Sequence, residues 1–237
     1  MRYVISDVHG CYREYRKLLE KIGFSDEDEL YVLGDAMDRG EEPIKVIQDM
    51  MSRPNVTYIL GNHDYMMFQV MSKLMVEITE ENCEGYLTEE DMMDYMYWLQ
   101  DGGEVTKEQF LKLSKEEQED ILEYLADAFV YEILENEGRK YILAHAGIHG
   151  FTEEKELDEY QIADFIFYRT DYRKRYYKDE NIYVITGHTP TPVFREDGMP
   201  EIYEGSGNIA VDCGCVSGGR LAAYCIETGQ GFYVDRN

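Results

Sequence analysis

Three short apolar runs near the start of the chain each stop on polar, metal-competent side chains, and this punctuation limits the possible folds more than any other feature. Tyr3-Val4-Ile5 stops at Ser6-Asp7, Leu30 to Leu33 at Gly34-Asp35, and Val56 to Leu60 at Gly61-Asn62. Between the runs, Tyr12, Tyr15, Leu18, Leu19 and Ile22, then Ile44, Ile47 and Met51, recur at the spacing of one helix face. A βαβαβ order of this kind calls for parallel strands with helices packed on the sheet. Ligands of such sheets sit at the carboxyl ends of the strands, where these polar clusters fall.

The middle of the chain reads differently. From Tyr65 to about Phe129 the pattern is mainly helical, with Ile121, Leu122, Leu125 and Phe129 forming an amphipathic stripe. Between Glu77 and Glu137 there are twenty acidic residues and only three basic ones, all lysines. No Pro-, Gly- or Ser-rich linker sets this stretch apart, so it reads as a helical cap inserted at about 65–130 into a single domain spanning 1–237. The last third reads as strands: Tyr131 to Leu134 and Tyr141 to Ala144 flank the hairpin signal Asn136-Glu137-Gly138, followed by Tyr183 to Thr186, Ile209 to Asp212, Leu221 to Glu227 and Gly231 to Val234. The expected fold is α/β, two packed mixed β-sheets flanked by helices, with the cap on one side.

Composition excludes several classes. With 237 residues, 44% of them hydrophobic, the chain can bury a sizeable core. Its 49 acids against 23 Lys+Arg give a net charge of −26, which disfavours long nucleic acids and anionic membranes as partners. No run of about 18 apolar residues suggests a membrane span. Met1-Arg2-Tyr3-Val4 enters a strand directly, with no signal peptide, and the five cysteines fit no disulfide or zinc framework. A cytoplasmic location is expected.

Five motifs carry the chemistry: Ser6-Asp7-Val8-His9-Gly10, Gly34-Asp35-Ala36-Met37-Asp38-Arg39-Gly40, Gly61-Asn62-His63-Asp64, His145-Ala146-Gly147 and Gly187-His188-Thr189. Each begins where an apolar run ends, and four of the five histidines lie in them. Alone, each has an ordinary reading: Asp38-Arg39 as a surface ion pair, His145 as a core histidine, Asn62 as the cap of a helix starting near Tyr65. Five strand-end loops carrying such residues in order are not explained that way. Asp, His and Asn donors without thiolates suit Mn²⁺, with Fe or Zn²⁺ as alternatives. Two such cations about 3.5–4 Å apart can activate a water and clamp phosphoryl oxygens together. Asp35 is the best candidate for the shared carboxylate.

The motifs resemble the phosphoprotein phosphatase branch of the calcineurin-like metallophosphoesterases, in particular the small bacterial serine/threonine phosphatases and diadenosine tetraphosphatases. The resemblance runs from Asp7 to Thr189 and extends to Val211-Asp212-Cys213-Gly214 and Gly218-Gly219-Arg220-Leu221. It implies that Asp7, His9 and Asp35 hold a first metal, and Asp35, Asn62, His145 and His188 a second. His63 would be the general acid, Asp38 its orienting carboxylate, and Arg39 a phosphate ligand. A second phosphate arginine is best matched by Arg169, with Arg173 and Arg175 as rivals. Ser6 replaces the usual glycine of the first motif. Leu60, Asp64 and His145-Ala146-Gly147-Ile148 look like the dinucleotide hydrolases, whereas Gly187-His188-Thr189-Pro190 looks like the protein phosphatases. The expected activity is metal-dependent hydrolysis of phosphoserine or phosphothreonine proteins or small phosphomonoesters. The alternatives are symmetrical diadenosine tetraphosphate hydrolysis and, third, a non-catalytic metal-bound scaffold.

Overall fold

The structure is a computed structural model that describes residues 1–76 and 86–236. The part of the cap reading that covers 77–85, Cys83 included, lies outside the described residues. One five-stranded sheet has the order β10-β9-β1-β2-β3, with β1 (Arg2–Ile5), β2 (Glu29–Leu33) and β3 (Val56–Ile59) parallel, and β9 (Arg220–Cys225) and β10 (Gly231–Asp235) antiparallel at one edge. The second has the order β4-β5-β6-β8-β7. Here β5 (Arg139–Ala144), β6 (Ile182–Thr186) and β8 (Asn208–Ala210) are parallel, flanked by β4 (Tyr131–Asn136) and β7 (Tyr203–Gly205). The parallel strands of both sheets end at one common edge, and that edge carries all five motifs.

Strand alternation decides which residues meet between the sheets. Val4, Tyr31, Leu33 and Ile59 of the first sheet pack against Leu134, Tyr141, Leu143, Ile185 and Ile209 of the second. Their neighbours Tyr3, Ile5, Leu30 and Val32 face the other way, onto α1 (Tyr12–Ile22) and α2 (Pro43–Met51) through Tyr15, Leu18, Ile47 and Met50. On the outer face of the second sheet, Ile142, Ala144 and Val184 meet Phe165 and Ile166 of α7 (Ile162–Ile166). Each buried Leu, Ile or Val contributes roughly 1.5–3 kcal/mol relative to exposure, so the strand ends rest on a rigid base.

Helices α3 (Asn62–Leu74), α4 (Glu89–Trp98), α5 (Glu104–Phe110) and α6 (Lys115–Ala126) lie between β3 and β4, where the sequence pattern places the cap. Thr88 and Ser114 start α4 and α6, each accepting a hydrogen bond from the backbone three residues on while Asp91 and Glu117 return the favour. Asn62 is the first residue of α3 and not a cap ahead of a helix at Tyr65, because Gly61 sits in the extended position before it. Two short elements escape the strand reading: β7, and the hairpin turn at Gly205-Ser206-Gly207. No described helix is long and apolar enough to cross a membrane.

Gly61 shows how tightly the strand ends are drawn together. A Cβ there would collide with the carboxylate and backbone nitrogen of Asp35. Overpacking of this kind costs about 1–3 kcal/mol. Gly61→Ala is therefore expected to lower the melting temperature by several degrees and to reduce bound divalent metal, measured by calorimetry and elemental analysis. Unchanged values in both would contradict this packing.

Candidate metal centre

The site loops are strained in a way that singles them out. Eight non-glycine residues have positive φ among the described residues, and six of them are Asp7, His9, Asp35, Asp38, Arg39 and His188. Left-handed backbone is costly for such residues and persists only where the surroundings enforce it. Here the loops lock onto one another: the Asp7 N–H donates to the Gly34 carbonyl at 3.1 Å, His9 N–H to Asp35 O at 2.8 Å, and Gly10 N–H to Ala36 O at 2.9 Å. Asp64 ties the next loop in, its carboxylate accepting from the backbone of Asp35 at 2.7 Å and of Gly61 at 3.1 Å and from the Tyr58 hydroxyl at 2.8 Å.

Tautomers follow from the partners. A carbonyl can only accept, so His9 Nδ1 donates to Met37 O at 2.7 Å and His145 Nδ1 to Leu33 O at 2.6 Å. Both Nε2 lone pairs then face inward, 3.5 Å and 3.4 Å from Asp35 Oδ2. His145 Nε2 lies 2.9 Å from Asn62 Oδ1, which is also 2.9 Å from His188 Nδ1. Asp7 Oδ1 is 3.9 Å from His9 Nε2, and its other oxygen accepts from the Ser6 hydroxyl and the His188 N–H. Donor atoms of His9, Asp35 and His63 form one group within metal-binding reach, and those of Asp35, His145 and His188 form a second. Asp35 belongs to both.

The electrostatics fit a cation. Burial holds His9 well below the usual imidazole range, and the charges of His63 and Arg39 add to the effect. Burial also lowers His145, and lowers His188 to about 3, with His145 the next cause. These imidazoles are neutral at physiological pH and offer lone pairs. Burial, then the charges of Asp7 and Asp64, pushes Asp35 well above the ordinary carboxylate range. Asp212, at the end of β8, is raised by burial and by Asp7. A buried crowd of carboxylates and neutral imidazoles, with two lone-pair atoms 2.9 Å apart and no donor between them, has a deficit of positive charge. Divalent cations held by oxygen and imidazole donors would supply it.

His63 is engaged on both sides. Its Nδ1 is 2.9 Å from Asp38 Oδ2, and its Nε2 is 2.6 Å from an Arg39 guanidinium nitrogen and 3.3 Å from Asp101 Oδ2. The other donors on the Asp38 carboxylate come from the cap: Trp98 Nε1 at 2.9 Å and Thr106 Oγ1 at 2.6 Å. The three candidate arginines separate. Arg175 is tied to the carbonyls of Tyr177, Asp179 and Ile182, a packing role. Arg173 is exposed among Val193, Arg195 and Glu204. Arg169 is exposed, forms no ion pair among the described residues, and lies close enough to affect His188 and Asp212. Tyr172 stacks on Phe194 at 4.1 Å and Tyr176 bonds Thr170, so these tyrosines pack; His149 stacks on Tyr168 at 3.7 Å at the rim.

The sequence pattern of the calcineurin-like phosphoesterases matches residues 2–204. The chain belongs to that family. The phosphoesterase is 32% identical over 148 residues to a symmetrical bis(5'-nucleosyl)-tetraphosphatase of Buchnera aphidicola, a match covering 62% of this chain but only 44% of that protein. It is 29% identical over 251 residues to the asymmetrical bis(5'-nucleosyl)-tetraphosphatase PrpE of Geobacillus thermodenitrificans, covering 93% of this chain and 88% of the relative. Among solved structures, one described as a diadenosine tetraphosphatase superposes with a TM-score of 0.64 at 19% identity, over 99% of this chain and 92% of that one. A serine/threonine phosphatase of Saccharomyces cerevisiae superposes with a TM-score of 0.56 at 12% identity, over 100% of this chain and 79% of that one. Both structural likenesses concern the fold.

Several residues of this phosphoesterase's site were not singled out by sequence reasoning. Asp64 stands out there only as a family variation, and Asp212 only as part of the closing strands. Trp98, Asp101 and Thr106 lie in an acidic helical stretch without a recognisable motif; the pair Gly102-Gly103, breaking the helix beside Asp101, is the one signal available.

Asp35 and His188 make separable demands on the metals. Asp35→Asn is expected to lose both cations on dialysis against Mn²⁺ buffer, and His188→Asn one of two, by elemental analysis. Equal stoichiometry in the two variants would contradict a shared Asp35.

Proposed function

We propose that this phosphoesterase hydrolyses a phosphoanhydride or phosphoester bond of a small phosphorylated metabolite, foremost a dinucleoside polyphosphate, at a centre of two divalent cations. The observation that carries the reading is Asp35 standing in both donor groups, with His63, Asp38 and Arg39 at their edge. Asp7, His9 and Asp35 would hold one cation, and Asp35, Asn62, His145 and His188 the other. When bound, two such cations supply Lewis-acid polarisation of the phosphoryl group and acidify water. Their identity as Mn²⁺ is part of the proposal.

The chain's own residues have distinct tasks in this reading. Arg39 binds phosphate oxygens as a planar fork, and Arg169 approaches from the side of His188. Asp38 holds Nδ1 of His63 at 2.9 Å and orients the ring, so that Nε2 faces the leaving oxygen and gives it a proton as the P–O bond breaks. Trp98 and Thr106 occupy two further acceptor positions of Asp38, which keeps that carboxylate aimed at His63. His63 could also ligate a metal, since its Nε2 joins the first donor group. The guanidinium 2.6 Å from that nitrogen would stand against a cation there; its N–H meets the Nε2 lone pair, and in the acid role the substrate phosphate takes that N–H over.

The choice of substrate class rests on the relative that aligns over 93% of the chain, and on Leu60, Asp64 and the His145-Ala146-Gly147-Ile148 motif. Together they support putting the dinucleotide ahead of the phosphoprotein expected from the motifs alone. Gly187-His188-Thr189-Pro190 favours the phosphoprotein and defines the competing arm of the test. With Mn²⁺ added, kcat/KM for diadenosine tetraphosphate is expected to exceed that for a phosphoserine peptide and for an aryl phosphate by at least about tenfold. A higher value for the peptide would overturn the substrate assignment. His63→Asn is expected to keep its metals and to lose rate by about 10²–10⁴-fold. The loss should be smaller for a nitrophenolate leaving group, and Trp98→Phe should reproduce part of it. Loss of a metal equivalent in His63→Asn would overturn the acid role.

A further inference from the structure

The cap grips the Asp38-Arg39 loop at more points than shielding requires. The Arg39 N–H donates to the Gly102 carbonyl at 3.0 Å, Arg39 Nε to the Asp101 carbonyl at 3.3 Å, and an Arg39 terminal nitrogen to Asp101 Oδ1 at 3.1 Å. The second Asp101 oxygen is 3.3 Å from His63 Nε2. The turn is shaped for this approach. Gly102 has φ 111°, and a Cβ on it would press on the Arg39 side chain; a Cβ on Gly103 would collide with the Trp98 ring. Arg39 itself is held at φ 65°.

We propose that Asp101 is a positioning residue of the phosphoesterase site, fixing the Arg39 guanidinium so that its outer face is presented to the substrate phosphate. An isolated ion pair with side chains 37–38% exposed would contribute little. This pair differs in three respects. Its guanidinium is also held by the Asp101 carbonyl while the Gly102 carbonyl of the same turn holds the Arg39 backbone N–H, its carboxylate reaches His63, and the arginine lies 3.2 Å from His9 Nε2, a candidate metal ligand. A guanidinium beside a divalent centre is repelled by it, and a long flexible side chain left to itself would swing into solvent. The Asp101 carboxylate, 3.1 Å from that guanidinium, offsets the repulsion and fixes the fork in one orientation. Substrate phosphate then meets an oriented donor pair instead of paying to order one. The cap thereby acts on phosphate binding through Asp101 and on the acid through Trp98 and Thr106, without supplying any of the proposed metal ligands.

This inference rests on the reading of Arg39 as a phosphate ligand, and the test keeps the two apart. Inorganic phosphate binding to the Mn²⁺-loaded protein is measured by calorimetry and as competitive inhibition, for wild type, Arg39→Lys, Asp101→Asn, Asp101→Glu and the double variant Asp101→Asn/Arg39→Lys. Metal content and melting temperature are recorded for each. The expected result is wild-type metal content in all. Phosphate affinity and KM should worsen about tenfold in Asp101→Asn, kcat should change less, and Asp101→Glu should recover part of the loss. The double variant should be no worse than Arg39→Lys alone, since residues acting as a unit are not additive. If Arg39→Lys binds phosphate as wild type does, the reading of Arg39 falls and this inference with it. If Arg39→Lys is impaired but Asp101→Asn binds phosphate normally, or the two effects simply add, Asp101 has no positioning role. Loss of metal from Asp101→Asn would likewise overturn it.

Discussion

The structure depends on one unfavourable juxtaposition: acceptor atoms packed against one another at the carboxyl edge of two sheets. His145 Nε2 and Asn62 Oδ1 meet at 2.9 Å, with His188 Nδ1 beside them and Asp35 Oδ2 3.4 Å away. Hydrogen bonds to the Leu33 and Met37 carbonyls fix the imidazoles with their lone pairs inward. Burial keeps them neutral and disfavours the charge on Asp35. Such an arrangement carries a large desolvation penalty unless a cation compensates it. The fold tolerates the penalty because the strands below are anchored in the core between the sheets, and because the loops carrying the donors are hydrogen-bonded to each other in left-handed conformations they would not otherwise hold.

That constraint explains the division of labour. Every proposed metal ligand lies at or just beyond a strand end, Asn62 as the first residue of α3. The later helices of the insert supply none of them, but they hold Asp38 and Arg39 through Trp98, Asp101 and Thr106. Trp98 is the chain's one tryptophan and is fully buried, with its indole N–H on the carboxylate that holds His63. A cap joined to the site this way can alter how phosphate and leaving group are handled while the metal centre stays the same. Members of one family could in this manner share a centre and differ in substrate.

Much of this was legible in the sequence for a physical reason. Parallel strands with helices on one side leave apolar runs that stop abruptly, and ligands at strand ends must follow those stops directly; Asp7, Asp35, Asn62, His145 and His188 all do. Asp64, Trp98, Asp101 and Thr106 were not legible, because their roles depend on contacts across the fold. Asp64 acts on a loop twenty-nine residues away at Asp35, and Trp98 and Thr106 reach back sixty and sixty-eight residues to Asp38. No local periodicity records such distances. The choice among Arg169, Arg173 and Arg175 had the same character: three similar side chains in one short stretch, of which Arg175 has its guanidinium occupied by carbonyls and Arg169, not Arg173, lies near His188 and Asp212.

The central claim is that one buried carboxylate joins two cation sites. Anomalous diffraction from crystals grown with Mn²⁺ tests it most directly. The account predicts two peaks about 3.5–4 Å apart with Asp35 between them, one beside Asp7 and His9 and the other beside Asn62, His145 and His188. A single peak, or two peaks that do not share Asp35, would contradict it.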